Sequence, residues 1–299
     1  MARPLRKLDA VPLHERPLLA SAPAGDSLFS AADRALDVRH RGDEFRLVHG
    51  DSLRTLAALP EASVDLIFAD PPYFLSNGGS TCASGKRVAV QKGAWDVSRG
   101  VNQDHAFNVA WLGACQRVLK PTGTIWVSGT QHVIFSIGFA MQSLGYHLLN
   151  TITWFKPNAS PNLACRFFTH STEILLWAAP ARQKKLMHTF HYRDMKADNG
   201  GKQMRDLWQM PEPGGDQVVW SIPTPPKSEK ANGRHPTQKP LALLERVVRA
   251  GSDPGQIVLD PFNGSGTTGV AAVAGGRRYL GIDVDPSYLD LTARRLRGK

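Results

Sequence analysis

The stretch IVLDPFNGSGTTG, residues 257–269, runs from an apolar strand pattern through Gly264, Gly266 and Gly269 into a helix expected from Thr267. Glycines at such a turn let a ligand approach the backbone closely, and the first N–H groups of the helix point at its anionic end. Asp283 closes the next expected strand, where an acid commonly meets a ribose hydroxyl pair. Read literally, GSGTTG is the G-x-G-x-x-G dinucleotide fingerprint; a tight strand–helix turn packed on glycine gives the same letters. Position separates the readings. The fingerprint normally opens its sheet, yet only about thirty residues follow Gly269. The other strands must then come from the N-terminal half, and the expected fold is α/β with a circularly permuted, Rossmann-like sheet.

Outward from that turn, a second apolar run, SVDLIFADPPYFL at 63–75, ends in Asp70 and two prolines. In an open α/β sheet the ligand crevice lies at the carboxyl ends of the strands. Asp70 and Gly264 are therefore expected on one crevice despite their separation in the chain. Periodicity predicts strands at 45–49, 64–69, 124–128, 148–155, 173–178, 256–259 and 279–282. Helices are predicted at 52–59, 104–119, 133–144, 241–250 and 267–274, with a short one near 31–36. The sheet should be mostly parallel, with an antiparallel hairpin from 148–155 and 173–178 and helices on both faces. Residues 1–44 read as an N-terminal extension outside the core. Residues 181–234, rich in Lys, Arg, Gly and Pro, read as an insertion that leaves the sheet, between the two halves 45–180 and 235–299. The polar loop 76–100 is long enough to be functional, and is expected to be mobile.

The 299 residues carry 36 Lys and Arg against 26 Asp and Glu, a net charge of +10 that points to a polyanion as partner. Cys82, Cys115 and Cys165 form no CxxC pair, which argues against a disulfide framework or zinc finger and for a reducing compartment. No run of about 18 apolar residues is present, so no membrane span is expected. GDSL at 50–53 matches the nucleophile block of a hydrolase family. The last histidine, however, is His235, and Asn232 rather than an acid stands three residues before it, so the base that block needs is missing. His188 and His191 lack a supporting cluster, and no metal is expected.

Asp70-Pro71-Pro72-Tyr73, His235-Pro236-Thr237-Gln238-Lys239-Pro240 and Asp260-Pro261-Phe262-Asn263-Gly264-Ser265-Gly266, in this order, resemble the permuted (β-class) DNA amino-methyltransferases that use S-adenosyl-L-methionine. The resemblance runs from Phe45 to Arg297. DPPYFLSNGG, NLACRFFTHSTEILLW and HPTQKP are especially similar to the DpnII-system adenine methyltransferases that tolerate single-stranded DNA. It implies a methyltransferase sheet with a catalytic half at 45–180, a target-recognition insertion at 181–234 and a cofactor-binding half at 235–299. It also implies that Asp70 accepts from the exocyclic amine of a flipped-out adenine, with the Pro71 carbonyl as second acceptor, Pro72 stiffening the turn and Tyr73 stacking on the base. Relatives acting on cytosine's amine commonly read Ser-Pro-Pro-Tyr, so Asp70 favours adenine N6. For the cofactor, Phe262 would flank the adenine ring, while Gly264, Ser265 and Gly266 permit close approach. Thr267, Thr268, Thr237 and Lys239 are candidates for the methionine carboxylate, Asp283 for the ribose and Asp51 for the adenine amine. A helix N-cap is the alternative for Asp51, and a solvated charge for Lys239. His235 and Asp260 join this set through their motifs.

DNA contacts are expected from Arg166, from Lys184, Lys185, Arg193, Lys196, Lys202 and Arg205 of the insertion, and from Lys86, Arg87 and Trp95 of the 76–100 loop. The partner implied is double-stranded DNA, with single-stranded DNA added by the DpnII-type similarity. A homodimer is expected in a bacterial cytoplasm, at the nucleoid, and some relatives pair with a restriction endonuclease while others act alone. Cytosine-N4 or RNA methylation, a nicotinamide-dependent oxidoreductase using GSGTTG, and a DNA-binding protein with a dead fold stay open as alternatives.

Overall fold

The computed structural model describes residues 24–76, 80–83, 86–89, 93–159, 161–162, 165–181, 185–208, 224–231, 233 and 235–298. The first part of the chain carries α1 (Ala24–Ala35), β1 (Val38–Arg41), β2 (Phe45–His49), α2 (Ser52–Ala58), β3 (Val64–Ala69), β4 (Ser80–Ala83) and β5 (Lys86–Ala89). Next come α3 (Val101–Val118), β6 (Leu119–Gly129), α4 (Ile134–Ser143), β7 (His147–Phe155), β8 (Thr172–Ala179), α5 (Tyr192–Asp198) and β9 (Leu207–Trp208). The last part holds α6 (Leu241–Gly251), β10 (Ile257–Asp260), α7 (Thr267–Ala274), β11 (Arg278–Asp283) and α8 (Pro286–Arg297).

One nine-stranded sheet has the order β1-β2-β11-β10-β3-β6-β8-β7-β9. From β2 to β6 the strands are all parallel. β8 opposes both of its neighbours, as the predicted hairpin requires, and β1 is antiparallel at the edge. The C-terminal pair β10 and β11 slots between β2 and β3, which is the expected permutation seen in space. Strand alternation splits the core into two layers. Val64, Ile67, Ala69, Ile125, Val127, Ile257 and Leu259 face one cluster with α1 to α4. Leu66, Phe68, Trp126 and Val258 face the other with α5 to α8. A strand covered on both faces reads as an unbroken apolar run, which is why β3 was plain in the sequence.

The structure departs from the sequence reading at several points. Residues 24–41 belong to the core: Leu28 and Ala32 are fully buried, Phe29 lies under the Arg46 and Arg278 guanidiniums, and β1 pairs with β2. As an edge strand, VRHR has no apolar alternation to announce it. α3 ends at Val118, as the expected helix does to within a residue, but β6 starts at Leu119 rather than at 124, so Lys120-Pro121-Thr122-Gly123 is part of the strand. Part of the insertion returns to the sheet, because β9 pairs with β7 and Trp208 is buried beside Trp126. Within the 76–100 loop, β4 and β5 form a two-stranded antiparallel hairpin.

Candidate active site

Strand order reverses where β10 meets β3: the chain leaves β10 for β11 on one side and β3 for β6 on the other. The carboxyl ends at such a switch point frame a crevice. Here it is a cavity of about 360 Å³, lined by every residue expected at the catalytic and cofactor sites except Gly266. Trp95, expected to touch DNA, lines it too.

Asp70 stands just past β3 and is almost fully engaged. Its Oδ1 accepts from the Tyr73 hydroxyl at 2.7 Å and from Ser128 Oγ at 2.5 Å. Its Oδ2 accepts from Lys239 Nζ at 2.7 Å. Lys239 also lies 3.5 Å from Glu173 Oε2, and Glu173 Oε1 accepts from Lys156 Nζ at 2.8 Å. Two carboxylates and two ammoniums thus alternate in one buried chain. Burial opposes the charge on Glu173, but Lys239 and Lys156 outweigh it and hold its pKa below the usual carboxylate value. Burial likewise opposes the Lys239 charge, yet Asp70 and Glu173 raise its pKa. Burial, with Asp70 and Glu173 adding to it, lifts the Tyr73 pKa well above that of free tyrosine, so this phenol stays neutral and donates. The Tyr73 ring is 7% exposed, packed in the core with the Lys239 ammonium 5.3 Å from its centroid. That placement suits a residue that orients Asp70 and leaves little open face for stacking on a base.

The turn after Asp70 is pinned by a residue the sequence reading passed over. Asp96 is fully buried, and its carboxylate accepts from Tyr73 N at 3.0 Å, Leu75 N at 3.2 Å and Ser76 Oγ at 2.8 Å. It sits in a short helical turn at Ala94–Asp96, beside Trp95. Nothing local marks such an acid; its partners lie about twenty residues upstream.

Across the crevice, Gly264 and Gly266 take positive φ of 48° and 70°. A Cβ on Gly264 would stand 3.2 Å from the His235 ring, and one on Gly266 only 2.3 Å from Thr292. Gly264 N donates to Asp283 Oδ2 at 2.8 Å, and Asp285 N donates to Oδ1 at 2.9 Å. Burial raises Asp283 to about 6 against those two bonds. Asp260 is buried more deeply and is raised to about 7, although Thr268 Oγ1 and Phe262 N both donate to it. A bare glycine turn, a carboxylate with lone pairs left over and the aromatic Phe262 fit the cofactor implied by the resemblance. Phe262 is itself braced edge-on by Trp111 at 5.3 Å.

Some expected cofactor donors are already engaged. The Thr268 hydroxyl serves Asp260, and Thr267 Oγ1 accepts from Arg295 at 2.9 Å, an arginine unsuspected from sequence. Lys239 is held by carboxylates, neither solvated nor free for a ligand. Thr237 Oγ1 contacts His235 Nδ1 at 3.3 Å, and the His235 ring packs on Tyr288 at 4.3 Å. Asp51 caps α2 by accepting from Arg54 N at 3.0 Å, the alternative read for it, and also lines the cavity. Ser52 of the GDSL match gives its hydroxyl to the Pro261 carbonyl at 2.6 Å.

The basic candidates do not form one face. Arg166 is exposed in the β7–β8 connection, at the carboxyl edge of the sheet. Exposed Arg205 immediately precedes β9, which pairs with the end of β7. Arg193 and Lys196 lie on α5, fastened to the far end of α6 by the His191 N to Ala250 O bond at 2.9 Å and the Asp198–Arg249 pair at 2.9 Å. Lys185 precedes that segment, and Lys202 follows it, exposed. Lys184 and the side chains of Lys86 and Arg87 lie outside the described residues.

The family described as DNA methylase, N6_N4_Mtase, matches residues 64–294. The chain is 48% identical over 250 residues to the Type II methyltransferase M2.DpnII of Streptococcus pneumoniae, covering 84% of this chain and 88% of that one. To M2.MboI of Moraxella bovis it is 41% identical over 251 residues, with 84% and 87% covered. The solved PvuII DNA methyltransferase, titled cytosine-N4-specific, has a TM-score of 0.64 at 18% identity over 89% of this chain and 97% of its own, a likeness of fold. With this sheet, this crevice and these relatives, the chain belongs to the DNA methylase family of N6/N4 methyltransferases.

Proposed function

We propose that the protein is a site-specific DNA methyltransferase acting on the exocyclic N6 of an adenine taken out of the duplex, with S-adenosylmethionine as donor. One observation carries this reading: the Asp70-Pro71-Pro72 acceptors and the Gly264–Asp283 turn, almost two hundred residues apart, line a single cavity. When bound, the cofactor supplies an electrophilic sulfonium methyl. The protein's work is to hold the amine and place its lone pair. Adenine N6 is a poor nucleophile because its lone pair is delocalised into the ring. Asp70 accepting one N–H and the Pro71 carbonyl the other draw the nitrogen towards tetrahedral geometry and stabilise the positive charge that develops there. Ser128 and Tyr73 aim the carboxylate, and Asp96 fixes the backbone that carries it. Gly264, Gly266 and Asp283 would hold the donor's nucleoside end.

The test is direct. The purified protein, given labelled S-adenosylmethionine and genomic DNA, should yield N6-methyladenine after digestion to nucleosides; N4-methylcytosine alone overturns the adenine assignment. Single-molecule sequencing of host DNA with and without the gene then gives the target. The same reading includes a homodimer in the bacterial cytoplasm, checked by solution mass, and a restriction endonuclease as companion, checked by its encoding beside this gene.

A further inference from the structure

Phe168 is 95% exposed, more than any other large apolar side chain among the described residues. Leaving a phenylalanine in water forfeits roughly 1.5–3 kcal/mol of burial. The segment around it is braced. Asn162 Nδ2 donates to the Phe167 carbonyl at 2.6 Å, Cys165 turns the chain with a φ of +50°, and the Phe167 ring stacks on His170 at 5.1 Å. His170 in turn meets Gln131 Nε2 at 3.2 Å. The neck is closed by Lys156 N donating to Ser171 O at 2.7 Å. From there β8 begins, and Glu173 on it pairs with Lys239, which pairs with Asp70, so the base of the tip is tied by two ion pairs to the carboxylate that would hold the amine. Arg166, two residues before it, offers a guanidinium for a phosphate.

We propose that Phe168 is the wedge that fills the gap in the DNA stack when the target adenine leaves it. This rests on the extrahelical adenine of the preceding section. Extrusion costs a few kcal/mol, and an aromatic ring stacked against neighbouring bases returns about 1–3 kcal/mol per base. Phe167, itself exposed but stacked on His170, supports the tip, and Phe168 enters.

The test compares initial rates on two duplexes carrying the target sequence: one fully paired, the other with an abasic site opposite the target adenine. Phe168→Ala should lower kcat/KM on the paired duplex about 10- to 100-fold. Most of that loss should be recovered on the abasic duplex, where extrusion is already easy. Phe168→Trp should retain activity on both. An equal loss on both substrates, or none on either, overturns the wedge. So does a fall in solution mass accompanying loss on both, which would make Phe168 an assembly contact. If the unaltered protein methylates neither duplex, it is the adenine reading that has failed and the wedge falls with it. A failed wedge by itself leaves methylation by the unaltered protein intact.

Discussion

Lys239 sets its ammonium 2.7 Å from Asp70 Oδ2 and 3.5 Å from Glu173 Oε2, so one buried cation is shared by two carboxylates. Removing one partner from such a group strands the others in low dielectric, which typically costs about 3–5 kcal/mol. Lys239→Met should therefore lower stability by about that amount, read from urea unfolding. Lys239→Met combined with Asp70→Asn should recover part of it, since Glu173 keeps Lys156 as its partner and the charge left stranded, that of Asp70, is then gone. An additive double variant would mean that the shared cation is not what holds the group together.

Asp70→Asn separates chemistry from architecture. The amide keeps the shape and one acceptor oxygen but loses the charge that stabilises the developing cation. Transfer should fall by at least about 10²–10³ in kcat, the scale for losing one preorganised electrostatic group. DNA binding, measured by fluorescence anisotropy, should stay within severalfold. Transfer at the original rate would remove Asp70 from the reaction.

Asp96 couples the 76–100 loop to the catalytic turn. Asp96→Ala leaves Tyr73 N and Leu75 N without their acceptor. Each buried unsatisfied donor costs about 1–3 kcal/mol. The variant should melt lower and lose kcat more than cofactor affinity, because the slack is introduced next to Asp70. Calorimetry with S-adenosylhomocysteine checks the second half.

What was legible in the chain, and what was not, follows from where the partners lie. β3 and β10 announced themselves because strands buried on both faces read as unbroken apolar runs. The glycine turn was legible because its constraint is local: φ at Gly264 and Gly266 is positive whatever surrounds them. β1 and β9 were hidden because short edge strands need only one neighbour and little apolar surface. Asp96, Ser128 and Glu173 were hidden for a different reason. Each acts on Asp70 or its turn through a contact the sheet creates, and its own neighbours in sequence carry no mark of it. The Thr267 and Thr268 hydroxyls show the converse: the motif places them on the cavity, where they lie, but gives no sign of their bonds to Arg295 and Asp260.

Gly266 tests whether the turn is as tight as it looks. Gly266→Ala must hold a φ of 70° and put a Cβ 2.3 Å from Thr292. Left-handed strain alone is worth about 1–3 kcal/mol, and the overlap with Thr292 shifts α7 against α8. Cofactor affinity should fall by at least about tenfold while DNA binding persists. A variant that binds S-adenosylhomocysteine normally would place the ligand away from this turn.

Asp283 gives the site a pH signature whose sign is opposite with and without ligand. Burial raises its pKa to about 6, so its carboxylate forms only above that pH. Ribose hydroxyls need the carboxylate as acceptor. Affinity for S-adenosylhomocysteine should therefore be flat above about pH 7 and fall about tenfold per unit well below pH 6. For the ligand-free protein the linkage runs the other way. A carboxyl with a raised folded pKa contributes stability that is complete below its unfolded value near 3.8 and lost as pH rises through about 6. That loss is on the order of 3 kcal/mol at neutral pH. Asp283→Asn should remove both dependences at once: weaker ligand binding with a flat profile from pH 5 to 8, and a ligand-free protein that melts higher than the unaltered one at pH 7 but not at pH 4. Calorimetry and melting curves across that range supply both halves. A ligand-binding profile that keeps its acid limb in Asp283→Asn would assign the titration to another group, with Asp260, raised to about 7 in the same cavity, the next to substitute.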